Sequence, residues 1–344
     1  MTEEIPMTGH ERTVRFLRGE PVDRAPFHPI IMRWAARHAG VKYRDFCLDY
    51  AAKCRAMIRC AEDFDADWVT VMSDPYCEAE AFGLQIEYVE NDLPLERGGH
   101  LADLGAVANL KPFDPRQHAR CRGRVHEIEE FRRLRGEQFF LVGWVEGPIA
   151  EYGDLRGLTN ASMDFYDDPG AVHHALDVIT DCAIAFMTLQ VEAGAHCIGI
   201  GDAFCSQIGP DLYREFAFAR EKRMVDHAHA LGAFAKLHVC GNTSAILPDM
   251  IRTGADIIDV DHLVPSMAPF APLLGPHQVF SGKCDPVAVI QNGAPVAIAA
   301  SVAESLAQAG GRCIVSAGCE VPPGTSLENF RAFSRAAGDR HNTP

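Results

Sequence analysis

Three residues with soft donor atoms stand where strands of an α/β fold end: His238 and Cys240, two apart at the close of an apolar run, and Cys319, just beyond a later one. Residues two apart on a strand face the same side, about 7 Å apart at Cα. His238 and Cys240 therefore reach one ion together, while Val239 packs away from it. Cys319 brings a third donor from a strand three places further round. One imidazole and two thiolates suit zinc, and a catalytic zinc keeps a position for an exchangeable ligand. Asp261, which follows the run 257–260, is the expected fourth ligand. A lone His-x-Cys on an apolar strand is more often packing, and the third donor reverses that balance. By contrast, His227 and His229 are two apart on a predicted helix and point to different faces. They and the pair His173 and His174 are read as helix-surface residues.

Other strand ends carry carboxylates. Glu146 and Asp202 are expected to orient or protonate a leaving group, and Asp74 to act at a polar end of the substrate. The competing role for each is to cap a helix or face its dipole. Arg33 and Arg37, a turn apart if helical, fit either a clamp for a carboxylate or sulfonate or ion pairs at the rim. Tyr152 is a further substrate-binding candidate. Asn242 is expected to cap a helix beginning near Thr243.

Eight short apolar or β-branched runs must position these groups: 27–31, 68–72, 139–145, 197–200, 234–239, 257–260, 278–281 and 313–316. Amphipathic segments at 43–63, 171–193, 210–231, 244–253, 294–309 and 327–337 alternate with them, which predicts βαβ units. A single closed (β/α)8 TIM barrel over 1–344 accounts for the count, with catalytic groups at the C-terminal strand ends. An open doubly wound sheet would want a glycine-rich turn after its first strand, and the residues after Ile31 supply none. Prolines and a Gly-Gly pair break up 78–135, which predicts an elaborated loop with an extra helix, and the last seven residues read as a frayed tail.

Composition narrows the function. The 32 basic and 47 acidic residues give a net charge of -15, which repels nucleic acid. The polar N-terminus has no secretory core and no apolar run approaches a membrane span of ~18 residues, so a cytoplasmic protein is expected. The twelve cysteines are irregularly spaced, and most are read as reduced, packed thiols.

Four segments carry a resemblance: RTVRFLRGEPVDRAP at 12–26, HVCGNT at 238–243, SGKCDP at 281–286 and SAGCEVPPGT at 316–325. Together they resemble the uroporphyrinogen decarboxylase superfamily, and more closely its zinc methyltransferase branch of methylcobalamin:coenzyme M and corrinoid-dependent O-demethylase methyltransferases. The resemblance runs nearly end to end, and its specific part falls on His238, Cys240 and Cys319. It implies a TIM barrel, zinc, and a methyl-carrying corrinoid (methylcobalamin) on a partner corrinoid-binding protein. Zinc is expected to act on an ether oxygen or a thiol as a Lewis acid, and the methyl donor is left open. A metal-free decarboxylase of a tetrapyrrole or related acid is the second expectation, because Arg33 and Arg37 echo the arginine-rich opening of that branch and Asp74 falls near its aspartate. A third is a non-catalytic barrel that holds zinc with four protein ligands.

Overall fold

The computed structural model describes residues 7–339. Numbered in chain order, seven parallel strands form one sheet: β1 (Trp68–Thr70), β4 (Phe140–Glu146), β5 (Cys197–Gly201), β6 (Phe234–Val239), β7 (Ile257–Val260), β8 (Val279–Cys284) and β9 (Cys313–Ala317). A short antiparallel ribbon, β2 (Ile86–Glu87) with β3 (Leu95–Glu96), lies outside it. Each barrel strand pairs with the next in sequence, so the crossovers run one way around a ring.

The eighth place is held by the first apolar run, reduced to a bridge between Phe27 and Val315. Val315 N donates to Pro26 O and His28 N to Val315 O, each at 2.9 Å, and on the other side Asp67 N donates to Phe27 O at 2.9 Å. The ring is closed as expected, but the strand expected at 27–31 is not regular. Pro26 and Pro29 lack the N–H that a ladder needs. The charged opening segment compensates. Arg24 Nη1 and Phe27 N both donate to Asp67 Oδ2 at 2.6 Å, and Arg12 donates to the other carboxylate oxygen. Arg12 and Arg24 thus tie the weak strand to its neighbour at the base of the barrel.

The helices follow from their sequence punctuation. The helix Pro169–Ala193 starts with Asp168 accepting from Ala171 N, has proline in its first turn, and ends at Gly194 in the left-handed region. It is long and apolar enough by length and composition to cross a membrane, which the sequence reading overlooked, and half of its most apolar window is buried. Leu176, Ala183 and Met187 are buried in the core, so packing accounts for that hydrophobicity. Cysteine usage is as expected: all twelve are free, and ten are buried.

The 78–135 region is more ordered than expected. It holds the β2/β3 ribbon, short helices Cys77–Phe82 and Leu104–Ala108, and the long helix Ala119–Arg135. That last helix buries Cys121, Arg124, Ile128 and Phe131, at helical spacing, as the crossover into β4. Residues 1–6 and 340–344, including most of the expected C-terminal tail, lie outside the described residues. Inside the ring, Trp68, Phe140, Val142, Ile257, Val279 and Ile314 form an apolar plug at the base. Above it the lumen turns polar at Lys236, Asp259 and Ser281, all buried, where barrels usually stack branched aliphatics.

Candidate metal centre and active-site cavity

β6 places Lys236 and His238 on its luminal face, and Cys240 continues that face past the strand end. Cys319 follows β9. It is held there by Gly318, whose N donates to Cys284 O at 2.8 Å. A Cβ at Gly318 would lie 2.3 Å from His262 N, so only glycine lets this turn approach the end of β7.

The expected triad converges. His238 Nε2 lies 3.0 Å from Cys240 Sγ, which is 3.6 Å from Cys319 Sγ, and the three donor atoms all fall within 4.8 Å of one another. Zinc bonds of about 2.0 Å to nitrogen and 2.3 Å to sulfur put donor atoms roughly 3.5–3.8 Å apart around a tetrahedron. The set fits that metal in type and in span. His238 is buried and the two cysteines are half-buried.

Asp259 sits opposite His238 in the β6–β7 register. Its Oδ2 lies 2.8 Å from His238 Nδ1 and 2.8 Å from Lys236 Nζ. This bond commits Nδ1–H to the carboxylate and leaves Nε2 as the ligand nitrogen. Burial disfavours the His238 cation, but the hydrogen bond to Asp259 and the Cys319 thiolate outweigh it and raise the pKa to about 9. The hydrogen bond from Cys240, with burial opposing and His238 assisting, pulls Cys319 down to about 4. Burial drives Asp259 upward, but Lys236 and His238 prevail and hold it below the usual carboxylate range. Thus a thiolate is stabilised among the donors themselves.

The triad opens onto a cavity of about 160 Å³ whose walls include Ile31, Met32, Met72 and Trp144 and whose polar lining includes His28, Thr70, Glu146, Lys236 and Glu320. Trp144 and Glu146 face inward from β4, and Trp144 Nε1 donates to Glu146 Oε1 at 2.8 Å. The indole lies flat across β5 because Gly199 and Gly201 have no side chains; a Cβ there would meet it at 2.4 Å and 2.6 Å. Burial, reinforced by the charge of Glu78, pushes the Glu146 carboxyl well above its ordinary pKa, which favours its protonated form at the cavity wall.

The remaining expected residues are not brought to the cavity. Asp261 accepts from Gly241 N and Leu263 N at 2.9 Å each, and it stands outside the group of converging donors. Its role is to hold the two turns that flank the triad. Asp202 accepts from Ala150 N at 2.7 Å in the first turn of the helix Pro148–Arg156, the capping role weighed against catalysis. Asp74 is gripped by both ends of the Arg120 guanidinium and by Ser73 Oγ at 2.7 Å. Burial opposes its charge, and Arg120 overrides this to hold it ionised. Arg33 pairs with Glu320 and Asp92 at 3.1 Å each, and Arg37 donates to Pro323 O, which makes them rim contacts rather than a clamp. Tyr152 is fully buried with its hydroxyl on Asp164 at 2.5 Å. Asn242 closes a turn by accepting from Ser244 N, and the helix itself starts later, at Leu247. His227 and His229 lie on the helix Phe218–Ala230, bonded to Thr188 and Asp256 respectively.

Lys236, Asp259, Trp144 and His28 escaped the sequence reading. The legible signals were a charge inside each of two apolar runs, Lys236 and Asp259, and the two glycines of β5 that make room for a large neighbour.

A closed parallel barrel with nucleophilic and acid side chains converging in a cavity at the C-terminal strand ends defines a barrel enzyme. The chain belongs to the uroporphyrinogen decarboxylase (URO-D) family, whose model matches residues 8–340. Curated relatives divide between two activities. A uroporphyrinogen decarboxylase of a Synechococcus strain is 26% identical over 98% of this chain and 97% of its own. A methylcobamide:CoM methyltransferase of Methanosarcina barkeri is 25% identical over 94% and 96%, and a methylated-thiol:coenzyme M methyltransferase of Methanosarcina mazei is 28% identical over 75% and 69%. Among solved structures, a methyltransferase from Methanosarcina mazei superposes with a TM-score of 0.86 at 25% identity, covering 96% of this chain and 98% of that one. A B12-independent methionine synthase from Shewanella shares the fold at a TM-score of 0.56, with 12% identity and 92% of each chain covered.

Proposed function

We propose that this protein is a cytoplasmic, zinc-dependent methyltransferase that moves a methyl group between a small molecule and a corrinoid carried by a partner protein. The observation that carries the reading is the convergence of His238 Nε2, Cys240 Sγ and Cys319 Sγ within 4.8 Å at the cavity. Bound there, zinc would supply a modest Lewis acid that stabilises charge developing on an ether oxygen or thiol sulfur. His238, Cys240 and Cys319 would hold it, and Asp259 orients the imidazole. Lys236 keeps Asp259 ionised. Glu146, neutral because it is buried, stands ready to give its proton to a departing oxygen. The apolar walls around Met32, Met72 and Trp144 exclude water from the reacting methyl group.

The cavity of about 160 Å³ is smaller than the roughly 300–1,000 Å³ typical of drug-sized ligands, which supports a small substrate over a tetrapyrrole. The decarboxylase reading calls on Asp74 and Arg33; neither lines the cavity, and both are paired with other side chains, Asp74 with Arg120 and Arg33 with Glu320 and Asp92. Metal analysis of the purified protein, followed by methyl transfer to cob(I)alamin from a panel of donors, tests the proposal. One zinc per chain and transfer that disappear together in Cys319→Ala are expected. A metal-free protein that decarboxylates uroporphyrinogen would overturn it.

A further inference from the structure

One wall of the cavity opens where two neighbouring strands part. β1 pairs with β4 only as far as Thr70 opposite Val142, where Val71 N donates to Val142 O at 3.2 Å. Continued, the parallel pattern would set Trp144 N on Val71 O, Ser73 N on Trp144 O and Glu146 N on Ser73 O. None of those bonds is made. Val71 O accepts instead from Lys53 Nζ at 2.6 Å and Ser73 O from the Tyr43 hydroxyl, both from helices outside the ring. Thr70 and Met72 on one parted strand, and Trp144 and Glu146 on the other, all line the cavity.

Buried backbone groups have to be paired, and on β4 side chains from outer helices do this. Gln190, fully buried on the helix Pro169–Ala193, accepts from Trp144 N at 2.8 Å and donates to Trp144 O at 3.0 Å. A single amide thus supplies the acceptor of Val71 and the donor of Ser73 that the missing stretch of ladder would have offered. Gly143 permits the approach, because a Cβ there would lie 2.7 Å from Gln190 Oε1. Two residues on, Glu78 Oε1 accepts from Glu146 N at 3.0 Å. Trp144 carries this seam to the chemistry: its indole lies against the glycines of β5, and its Nε1–H holds Glu146 Oε1 at 2.8 Å.

We infer that Gln190 is a positioning residue for the cavity acid: by completing the edge of β4 where β1 has turned away, it fixes the Trp144 backbone and, through the indole, the aim of the Glu146 carboxyl. This rests on the methyltransferase reading, in which Glu146 gives its proton to the departing oxygen. Gln190 itself does not line the cavity.

Gln190→Leu keeps the approximate volume and removes both hydrogen bonds, whereas Gln190→Glu keeps the shape and an acceptor for Trp144 N. Methyl transfer from ethers with a poor and with an acidic leaving oxygen, in these variants alone and combined with Glu146→Gln, tests the inference. With the poor leaving group, kcat should fall about 10- to 100-fold in Gln190→Leu while KM and zinc content stay unchanged, the effect of a displaced catalytic group. The loss should shrink with the acidic leaving group and vanish in the Glu146→Gln background, because both substitutions then act on one step. Gln190→Glu should recover part of the rate. An equal loss for both leaving groups, or a full additional loss on top of Glu146→Gln, would make Gln190 a structural residue only and overturns the inference.

A further measurement needs no activity. The chain has three tryptophans, so nitrogen-15 spectra give three indole N–H signals, and Trp144→Phe identifies the one from Trp144. In Gln190→Leu that signal should move toward its position in Glu146→Ala, where the acceptor is gone; an unmoved signal overturns the inference. Were the unaltered protein to transfer no methyl group, the proposed function would fail, and the indole signal would still decide whether Gln190 holds Trp144. Should Gln190→Leu not fold, Gln190→Glu carries both measurements, with the same outcomes at smaller amplitude.

Discussion

His238 and Asp259 stand at the same register on adjacent parallel strands, with Nδ1 and Oδ2 2.8 Å apart. That contact selects which ring nitrogen faces the two sulfurs. Partners of this kind behind a ligand imidazole typically change metal affinity by 10–100-fold. Asp259→Asn is therefore expected to fold, bind zinc about 10–100-fold more weakly, and release it faster to a chromophoric chelator. Unchanged affinity in a chelator competition would show that the carboxylate does not set the ligand geometry.

Removal of a donor should be more severe. Cys319→Ala leaves a nitrogen and one sulfur, too few for a stable zinc site. The expected result is less than one-tenth of the unaltered protein's zinc after dialysis, with the far-ultraviolet circular dichroism preserved because Cys319 lies after the last barrel strand.

Glu146→Gln keeps the size and the acceptor for Trp144 Nε1 but has no acidic proton to give. With a poor leaving group the rate of demethylation should fall by about 10²-fold or more. With an ether whose leaving oxygen is already acidic the loss should shrink to a few-fold. A loss independent of the leaving group would assign Glu146 to positioning alone.

Asp74→Asn should damage stability before chemistry. It takes from the largely buried Arg120 guanidinium its closer counter-ion and leaves only Glu80 at 3.8 Å, and breaking a buried pair from one side costs up to about 3–5 kcal/mol. The pH dependence has a definite sign. Asp74 has a lowered pKa in the folded protein, so its contribution is fully present above the unfolded value near 3.9 and is lost as pH falls through the lower folded value. Acid denaturation of the unaltered protein should show this loss, and Asp74→Asn should flatten it; a melting temperature unchanged by the substitution at pH 7 would contradict the assignment.

Gly199→Ala puts a methyl group 2.4 Å from the Trp144 ring. Either the indole moves and loses Glu146, or β5 shifts. A destabilisation of about 1–3 kcal/mol is expected, together with a change in tryptophan fluorescence.

What could be read along the chain was whatever repeats at short range. Apolar runs alternating with amphipathic segments determined a parallel barrel, and the spacing of two between His238 and Cys240 placed both on one face, because strand side chains alternate. The weak first strand shows the limit of this, since Pro26 and Pro29 break its ladder and only the distant contacts of Asp67 with Arg12 and Arg24 complete the ring. The fate of each carboxylate was decided by the tertiary structure alone. Asp74, Glu146, Asp202 and Asp261 look alike at the ends of their runs, yet one meets an arginine, two meet backbone amides, and only Glu146 faces the cavity, where burial favours its protonated form. Desolvation and hydrogen-bond partners come from elements dozens of residues away, and no local pattern encodes which partner a strand end will meet.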